Sequence, residues 1–269
     1  MTHAFSAALT ARATTGLPAL IPTITLGDPN LATCRDLMTA LAQNHAPALD
    51  LHLPFSDPCA DSVALQSASH RSLHAGLKIA AALDLIADFK AQFPQMPIML
   101  SLYVNNAMAF GLEHFLTRAA SVGVNALLFT DVSHAMVAPQ GGPFDFKALC
   151  AQHGLELVLL APDNQSRSEL QAICADSAAS LILPVHGGAA TAATLRLCHE
   201  LKTPSLVPLA AGTADELSAV LSLGLPQAVT TGDLVANCIE RGQDGAAVVA
   251  AVVAAYQALC TALCARKAA

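Results

Sequence analysis

Residues Ala48 to Asp61 read A-L-D-L-H-L-P-F-S-D-P-C-A-D, and this stretch decides the fold. Strand side chains alternate between two faces, so the three leucines point to one face while Asp50 and His52 point to the other. Pro54 has no backbone N–H to give to a neighbouring strand, so the strand ends there and the chain turns toward Asp61. Two carboxylates and an imidazole are therefore expected at the C-terminal end of one strand, the edge where parallel α/β proteins bind ligands.

The acid at Asp50 is the strongest functional signal in this stretch. It interrupts an apolar strand that should be buried on both faces, and a buried carboxylate needs either a partner or a function. His52 has two interpretations: it extends the reach of Asp50 as a proton-transfer pair, or it only fills space. Asp57 alone is most simply a solvated acid in a turn. A metal site that adds Asp61 and His186 to the pair is conceivable, but no tight ligand motif supports it, so we predict no metal.

The composition provides enough apolar material for one large core. The chain has 269 residues, of which 54% are hydrophobic and 12% are charged. This excludes general disorder and fits a (β/α)8 barrel, which takes about 250 residues, so we predict one domain over 1–269. The formal net charge of −7 gives no footprint for nucleic acid, and no basic cluster suggests a membrane surface. The expected partners are small molecules or other proteins.

The cysteines and the two ends of the chain bear on the cellular setting. Eight cysteines are scattered without a C-x-x-C pair, and the N-terminus lacks the charged and then apolar order of a signal peptide. A cytoplasmic location is expected, with most cysteines, Cys59 included, acting as small buried residues. Residues 245–265 carry no charge and are long enough to cross a bilayer, but alanine dominates them and polar residues break them. We interpret them as a terminal helix packed on the protein's own core.

The chain alternates between apolar strands and helices eight times. Strands are predicted at 19–27, 48–54, 97–106, 126–132, 156–162, 180–186, 205–212 and 227–233. Helices are predicted at 3–14, 31–44, 62–75, 78–92, 112–121, 144–152, 167–177, 191–202 and 214–223, and a last helix is interrupted at 242–245. Strands that are apolar without alternation indicate a parallel sheet covered on both faces, and eight units close a barrel. The predicted fold is therefore α/β, a (β/α)8 TIM barrel with an extra N-terminal helix; a doubly wound open sheet is the alternative.

Four segments of the chain resemble the α subunit of tryptophan synthase. They read L-I-P-T-I-T-L-G-D-P at 20–29, L-D-L-H-L-P-F-S-D-P-C-A-D at 49–61, S-L-Y-V-N at 101–105 and L-L-F-T-D-V at 127–132. The resemblance runs at matching spacing over nearly the whole chain, and the P-F-S-D-P-x-A-D run is its most specific part. It implies a barrel that cleaves indole-3-glycerol phosphate to indole and glyceraldehyde 3-phosphate. It also implies docking onto a β subunit that carries pyridoxal phosphate (PLP) and receives the indole, with no cofactor in this chain itself.

The resemblance also assigns roles to individual residues. The family's essential acid/base glutamate falls on Asp50, which is one methylene shorter, and the family's second carboxylate, which hydrogen-bonds the indole nitrogen, falls on Asp61. Together with His52 these are the predicted catalytic residues. The positions that match substrate-binding residues are Thr23, Tyr103, Ile182, His186, Gly212, Gly232 and Asp233. The positions predicted to face the partner are Asp57, Pro58, Asn105 and Asp131.

The departures from the family pattern cluster where phosphate binds and where a loop closes over the site. After Asp61 the family's Gly-Pro is Ser62-Val63, and the family's Arg-Ala-Gly-Val-Thr-Gly loop reads His-Gly-Gly-Ala-Ala-Thr at 186–191. A Gly-Ser that opens the family's last helix is Gly232-Asp233 here. This aspartate fills the niche at a helix start that favours an anion, and a phosphate beside it would cost on the order of a few kcal/mol. The other substituted pocket positions are Thr23, His52 and Ile182.

Three functions stay open on this reasoning. The first is a lyase on indole-3-glycerol phosphate, with Asp50 and Asp61 as the acid/base pair. The second is a lyase on a different, unphosphorylated substrate in a more polar pocket. The third is a partner subunit that binds and activates a PLP-dependent β-type enzyme. Because the partner-facing positions are retained while those for phosphate and loop closure are lost, we predict a partner subunit whose own lyase activity is weak, lost or altered.

Overall fold

The computed structural model describes residues 4–13, 18–137, 144–183, 188–209, 219 and 226–267. The strands are β1 Ala19–Ile21, β2 Thr23–Thr25, β3 Leu49–His52, β4 Ile98–Leu102, β5 Ala126–Phe129, β6 Glu156–Pro162, β7 Ala179–Leu183, β8 Ser205–Pro208 and β9 Ala228–Thr230. The helices are α1 Ala4–Ala13, α2 Leu31–Gln43, α3 Val63–His74, α4 Ile79–Gln92, α5 Val104–Phe110, α6 Leu112–Ser121, α7 His134–Val137, α8 Phe146–Gln152, α9 Arg167–Asp176, α10 Gly188–Glu200, α11 Gly232–Glu240 and α12 Gly245–Lys267.

The strands form one parallel sheet whose two ends meet at the first predicted strand. The order of the strands is β1-β9-β8-β7-β6-β5-β4-β3-β2, and the outer two are the halves of the stretch predicted as a single strand at 19–27. Pro22 divides them because it cannot donate to a ladder. The first half pairs with β9 and the second half pairs with β3. The predicted (β/α)8 barrel with an N-terminal helix is thereby confirmed.

Several predicted boundaries are corrected where a strand ends. The strand predicted at 97–106 stops at Leu102, because Tyr103 precedes a helix that begins at Val104. The strand predicted at 227–233 stops at Thr230, and Gly232 already opens α11. The predicted helix at 214–223 falls outside the described residues, apart from position 219. The predicted interruption of the last helix at 242–245 is confirmed, since α11 and α12 flank it.

Hydrophobic residues pack in two layers, one on each side of the sheet. The outer layer, between the sheet and the helices, contains the three leucines of the 48–54 stretch. The inner layer lies inside the barrel, and Phe5 and Leu9 of α1 complete it at the end where the strands begin. Glu156 holds this helix in place, because its carboxylate accepts hydrogen bonds from the backbone N–H of Phe5 at 2.8 Å and of Ser6 at 3.1 Å. The N-terminal helix is therefore a plug for the bottom of the barrel.

Two predictions about the surface and the cysteines can be compared with the structure. No helix in the described ranges is long and apolar enough to cross a membrane. Six cysteines whose side chains the structure describes are free thiols, and five of these six are buried as predicted. Cys59 is exposed, contrary to the prediction, because the loop after Pro58 turns outward over the rim.

Candidate active site

A cavity of about 420 Å³ opens at the C-terminal ends of the strands. One side of its described lining is polar and the other is apolar. The polar residues are Thr23, Asp50, His52, Asp61, Ser62, Ser101, Thr130, Thr230 and Asp233. The apolar residues include Leu128, Leu160, Leu181, Leu183, Pro208 and Leu209. Of the predicted site residues, this cavity brings together Asp50, His52, Asp61, Thr23, Gly232 and Asp233.

Asp50 lies on the floor of the cavity, held by hydroxyl groups from the strands on either side. The Thr23 hydroxyl donates to Oδ2 at 2.9 Å, and the Ser101 hydroxyl donates to Oδ1 at 2.5 Å. Burial raises the pKa of the Asp50 carboxyl above its ordinary value, and the two hydroxyl donors and nearby His52 only partly offset this effect. A buried carboxyl with a raised pKa is suited to carry a proton.

His52 faces the same cavity and contacts Asp61 rather than Asp50. Its Nε2 lies 3.1 Å from Asp61 Oδ2, with the two side chains only 2% and 6% exposed. Neither atom has a hydrogen bond of acceptable geometry within the described residues. The predicted Asp50–His52 hydrogen-bonded pair is thus not formed, because the hydroxyls of Thr23 and Ser101 occupy Asp50. A buried acceptor and a buried ring nitrogen are left close together and incompletely satisfied.

The Tyr103 side chain packs against the loop that follows β3 and supports it. Its ring stacks on Phe55 with the centroids 4.8 Å apart, and its hydroxyl accepts a hydrogen bond from the Ala60 N–H at 2.9 Å. Burial, together with the negative charge of Asp61, raises the pKa of the phenol. Tyr103 does not contribute to the described cavity lining, contrary to its predicted place in the substrate pocket, because its side chain is used to support the loop that carries Asp61.

The N-terminus of α11 forms the rim of the cavity next to Thr23. Asp233 lies in the first turn of this helix, where the helix dipole favours a negative charge. The Ser62 hydroxyl, which also caps the N-terminus of α3, donates a short hydrogen bond to Asp233 Oδ1. Gly232 packs so closely that an added Cβ would lie 3.3 Å from both Thr23 and Leu65. The first turn of α11 therefore carries a carboxylate of the protein itself at the rim of the cavity.

Ile182 does not line the cavity. It is fully buried in the outer hydrophobic layer between the sheet and the helices. Its neighbours Leu181 and Leu183 line the cavity instead, because successive strand residues face opposite sides. The predicted pocket position is therefore wrong by one residue. The other two predicted substrate-binding residues, His186 and Gly212, lie outside the described residues.

The cavity does not present the ligand set of a metal centre in its described part. No group of three or more His, Cys, Asp or Glu side chains within the described ranges could hold a metal ion. The acids and the imidazole are instead engaged with hydroxyls and with each other.

Comparison with known proteins gives the family. A sequence model described as the tryptophan synthase alpha chain matches residues 9–259. This chain belongs to the tryptophan synthase alpha-chain family. The alpha chain of Shewanella baltica strain OS155 is 32% identical over 242 residues, which cover 86% of each protein. The alpha chain of Haemophilus influenzae strain Rd is 31% identical over 237 residues, covering 84% of this chain and 86% of that relative.

Solved structures share the alpha-chain fold at lower sequence identity. The tryptophan synthase subunit alpha of Legionella pneumophila strain Paris superposes with a TM-score of 0.85 at 21% identity, covering 97% of this chain and 99% of that one. A chain of the tryptophan synthase complex of Pyrococcus furiosus superposes with a TM-score of 0.79 at 23% identity, covering 91% and 98%. These similarities establish the barrel and leave the chemistry to the site.

The four positions that the alpha-chain resemblance assigns to a partner form one strip of the rim. Asp57, Asn105 and Asp131 are exposed and Pro58 is half-buried; they lie on the loops after β3 and β5 and, for Asn105, in the first turn of α5 after β4. These loops are joined by hydrogen bonds, because the Val104 N–H donates to Asp131 at 2.8 Å and the Asn106 amide donates to the Pro54 carbonyl at 3.0 Å. The strip is thus continuous and held in shape.

Two residues matter more to this alpha-chain cavity than the sequence indicated. Ser62 reads in the sequence only as a departure from the family pattern, yet it tethers Asp233. Ser101 reads only as the first residue of the segment at 101–105 that resembles the family, yet it makes the shorter of the two hydroxyl contacts with Asp50. Both roles depend on strands and loops that are distant in sequence. The available signal was a hydroxyl residue at the C-terminal end of a strand or at a helix start.

Proposed function

We propose that this member of the alpha-chain family docks onto a PLP-dependent β-type enzyme and cleaves indole-3-glycerol phosphate weakly or not at all. The observation that carries the proposal is the Asp233 carboxylate at the start of α11, held by Ser62. Two unit negative charges 4 Å apart repel by about 4 kcal/mol at an effective dielectric constant near 20. A phosphate dianion at this helix start would meet that repulsion.

The sequence around the rim supplies no compensating positive charge. The loops after the strands contain neither lysine nor arginine over 26–30, 53–62, 130–145, 163–166, 184–187 and 209–227. A phosphate can bind at a helix start that carries no acid. Where the helix start carries an acid, a phosphate site usually depends on lysine or arginine side chains instead. A ligand with a phosphate tail therefore has poor support at this end of the barrel.

The acid pair supports an altered rather than an intact lyase site. Asp50 is shorter than the glutamate of the family by one methylene, which withdraws the proton-transfer group by roughly an ångström, and a misplacement of that size can cost about a hundredfold in rate. Thr23 and Ser101 also hold both oxygens of Asp50 against the cavity floor. Asp61 is retained in the cavity beside His52.

The partner in this proposal is a β-type chain, and the strip formed by Asp57, Pro58, Asn105 and Asp131 is its docking site. The strip is continuous, and its polar side chains project from a rigid rim. Structural neighbours of this chain include a protein described as a tryptophan synthase complex. PLP would be held by the partner, and this chain would act as an allosteric scaffold.

Co-elution and catalysis, measured together, test the proposal. The purified chain is mixed with a tryptophan synthase β chain, and complex formation, PLP-dependent tryptophan formation from indole and serine, and indole release from indole-3-glycerol phosphate are followed. We expect a complex that activates the β chain with little or no indole release. Asn105→Lys on the strip should weaken the complex, while Gln92→Lys, exposed at the opposite end of the barrel, should not.

Two results would overturn the proposal. One is indole release at a rate typical of enzymes, with kcat of about 1 s⁻¹ or more. The other is a chain that neither binds nor activates a β chain.

A lyase on an unphosphorylated substrate is the second candidate, and the His52–Asp61 contact favours it. An imidazole 3.1 Å from a buried carboxylate can move a proton over a longer reach than Asp50 alone. This candidate is distinguished from the scaffold role by Asp50→Asn and His52→Gln variants. If both variants still activate the β chain fully, the chemistry of the cavity is not needed for the role of this protein.

A further inference from the structure

The described part of the cavity has an excess of negative groups. Asp50, Asp61 and Asp233 line it, and the only basic side chain among the described lining residues is His52. The loops around the rim add no lysine or arginine to this balance. A low-dielectric pocket lined by one sign of charge favours a ligand of the opposite sign.

The hydrogen bonding in the cavity is complete at Asp50 and incomplete at Asp61. Both oxygens of Asp50 accept hydroxyl donors. Asp61 Oδ2 and His52 Nε2, by contrast, are buried atoms 3.1 Å apart that form no aligned hydrogen bond in the described residues. A buried acceptor left unsatisfied is costly, so a donor from a ligand would stabilise this corner of the site. The hydrogen bonding at Asp61 therefore favours a ligand that donates, in agreement with the charge balance.

Ser62 brings two of the three acids together at the mouth of the cavity. It follows Asp61 directly in the sequence, and its hydroxyl is bonded to Asp233 on the neighbouring helix. Ser62 thus connects the loop that carries Asp61 to the helix that carries Asp233. The wall facing them consists of leucines and a proline, at Leu128, Leu160, Leu181, Leu183, Pro208 and Leu209.

We propose that the cavity binds a small molecule with an apolar, ring-sized body and a protonated amine. The ammonium group lies against the carboxylates of Asp61 and Asp233, and the body lies against the leucine wall. The amine takes the end of the cavity where the resemblance would place a phosphate. This inference rests on the part of the proposed function in which Asp233 occupies the anion niche.

Three probes with one ring system and different tails test the charge preference. Tryptamine carries a positive tail, tryptophol a neutral tail and indole-3-propionate a negative tail. Isothermal titration at pH 7 and low salt measures their dissociation constants for the isolated full chain. Tryptamine should bind about tenfold more tightly than tryptophol, and indole-3-propionate should bind most weakly. The ratio between the dissociation constants of tryptophol and tryptamine should fall in 1 M salt, since salt screens the attraction between the charges.

Variants locate the preference at the two acids. Asp233→Asn and Asp61→Asn should each reduce the affinity for tryptamine about tenfold and leave the affinity for tryptophol unchanged. Asp36→Asn, an equal charge change on the exposed face of α2, should change neither affinity. A thermal melt of each variant confirms that it is folded before its binding is compared.

Several outcomes would overturn the inference. They are equal or tighter binding of tryptophol or indole-3-propionate, no saturable binding of any of the three probes, and a tryptamine preference that survives both Asp233→Asn and Asp61→Asn. The series is measured without a partner chain. A failure to dock onto a β chain would therefore not affect the binding results for the three probes. Probe results that contradict the amine preference would likewise not affect the docking proposal.

Discussion

Asp233 and Ser62 are hydrogen-bonded between two neighbouring helices at the rim of the barrel although they are 171 residues apart in the sequence. The serine caps the N-terminus of α3, and the aspartate lies in the first turn of α11. The bond thus joins two helix starts and fixes a negative charge at the rim. The strength of this bond can be measured.

Ser62→Ala should destabilise the protein more than the loss of an ordinary helix cap. The change removes both the cap of α3 and the bond to Asp233, whereas Asn30→Ala removes only the cap of α2. A cap contributes about 1 kcal/mol, and a hydrogen bond to a charged group contributes roughly as much again. Urea denaturation should show an excess loss of about 1 kcal/mol for Ser62→Ala. Equal losses in the two variants would mean that the bond to Asp233 contributes nothing to stability.

Asp50→Asn should stabilise the protein increasingly as the pH rises. The pKa of Asp50 is raised in the folded state because burial disfavours its charged form. The folded state therefore holds this proton more tightly than the unfolded state, and stability is lost as the pH rises from the unfolded pKa through the folded pKa. The asparagine variant lacks that loss. The difference in unfolding free energy between Asp50→Asn and the unchanged protein should grow from pH 4 to pH 8, and Asp36→Asn should show no such trend.

A flat difference across this pH range would contradict the raised pKa of Asp50. A difference in unfolding free energy that shrinks toward pH 8 would mean that the pKa of Asp50 is lowered, and not raised, in the folded state.

Removing the hydroxyl donors should raise the pKa of Asp50 further. The hydroxyls of Ser101 and Thr23 both stabilise the ionised carboxylate, and that of Ser101 has the larger effect. Ser101→Ala should therefore shift the carbon-13 titration of the Asp50 carboxyl more than Thr23→Val does. Thr25→Val is the matched control, because the buried Thr25 hydroxyl has no hydrogen-bond partner in the described structure. An equal shift in Thr25→Val would show that packing, and not hydrogen bonding, sets the pKa of Asp50.

Glu156→Gln should loosen the N-terminal plug without affecting the cavity. The carboxylate of Glu156 accepts two backbone N–H groups at the start of α1, and the amide replaces one of its acceptor oxygens with a donor. A loss of about 1 kcal/mol is expected, as for other helix caps. Hydrogen exchange in α1 should accelerate while tryptamine affinity stays constant. Glu113→Gln, on an exposed acid paired with His153, should leave the exchange of α1 unchanged.

The sequence predicted the barrel and the acids on its floor for clear physical reasons. Alternation along residues 49–53 places Asp50 and His52 on the face opposite the leucines, and the structure shows this arrangement. Eight apolar strands separated by helices leave a closed parallel sheet as the favoured topology. These signals are local, or they add up over many residues.

The parts that the sequence did not predict depend on register and on distant contacts. Ile182 was assigned to the pocket in place of Leu181 and Leu183, because a shift of one residue along a strand exchanges the two faces. One of the two interpretations of His52 paired it with Asp50, but Ser101 and Thr23 come from the adjacent strands and occupy that carboxylate. No short-range pattern encodes such contacts.

If Asp233 occupies the place of an anion, its charge weakens the binding of glycerol 3-phosphate. Dissociation constants are measured by calorimetry for the unchanged protein and for Asp233→Ser, which removes the charge from the start of α11. Asp233→Ser should bind glycerol 3-phosphate at least about tenfold more tightly. Equal affinities, or tighter binding by the unchanged protein, would contradict it.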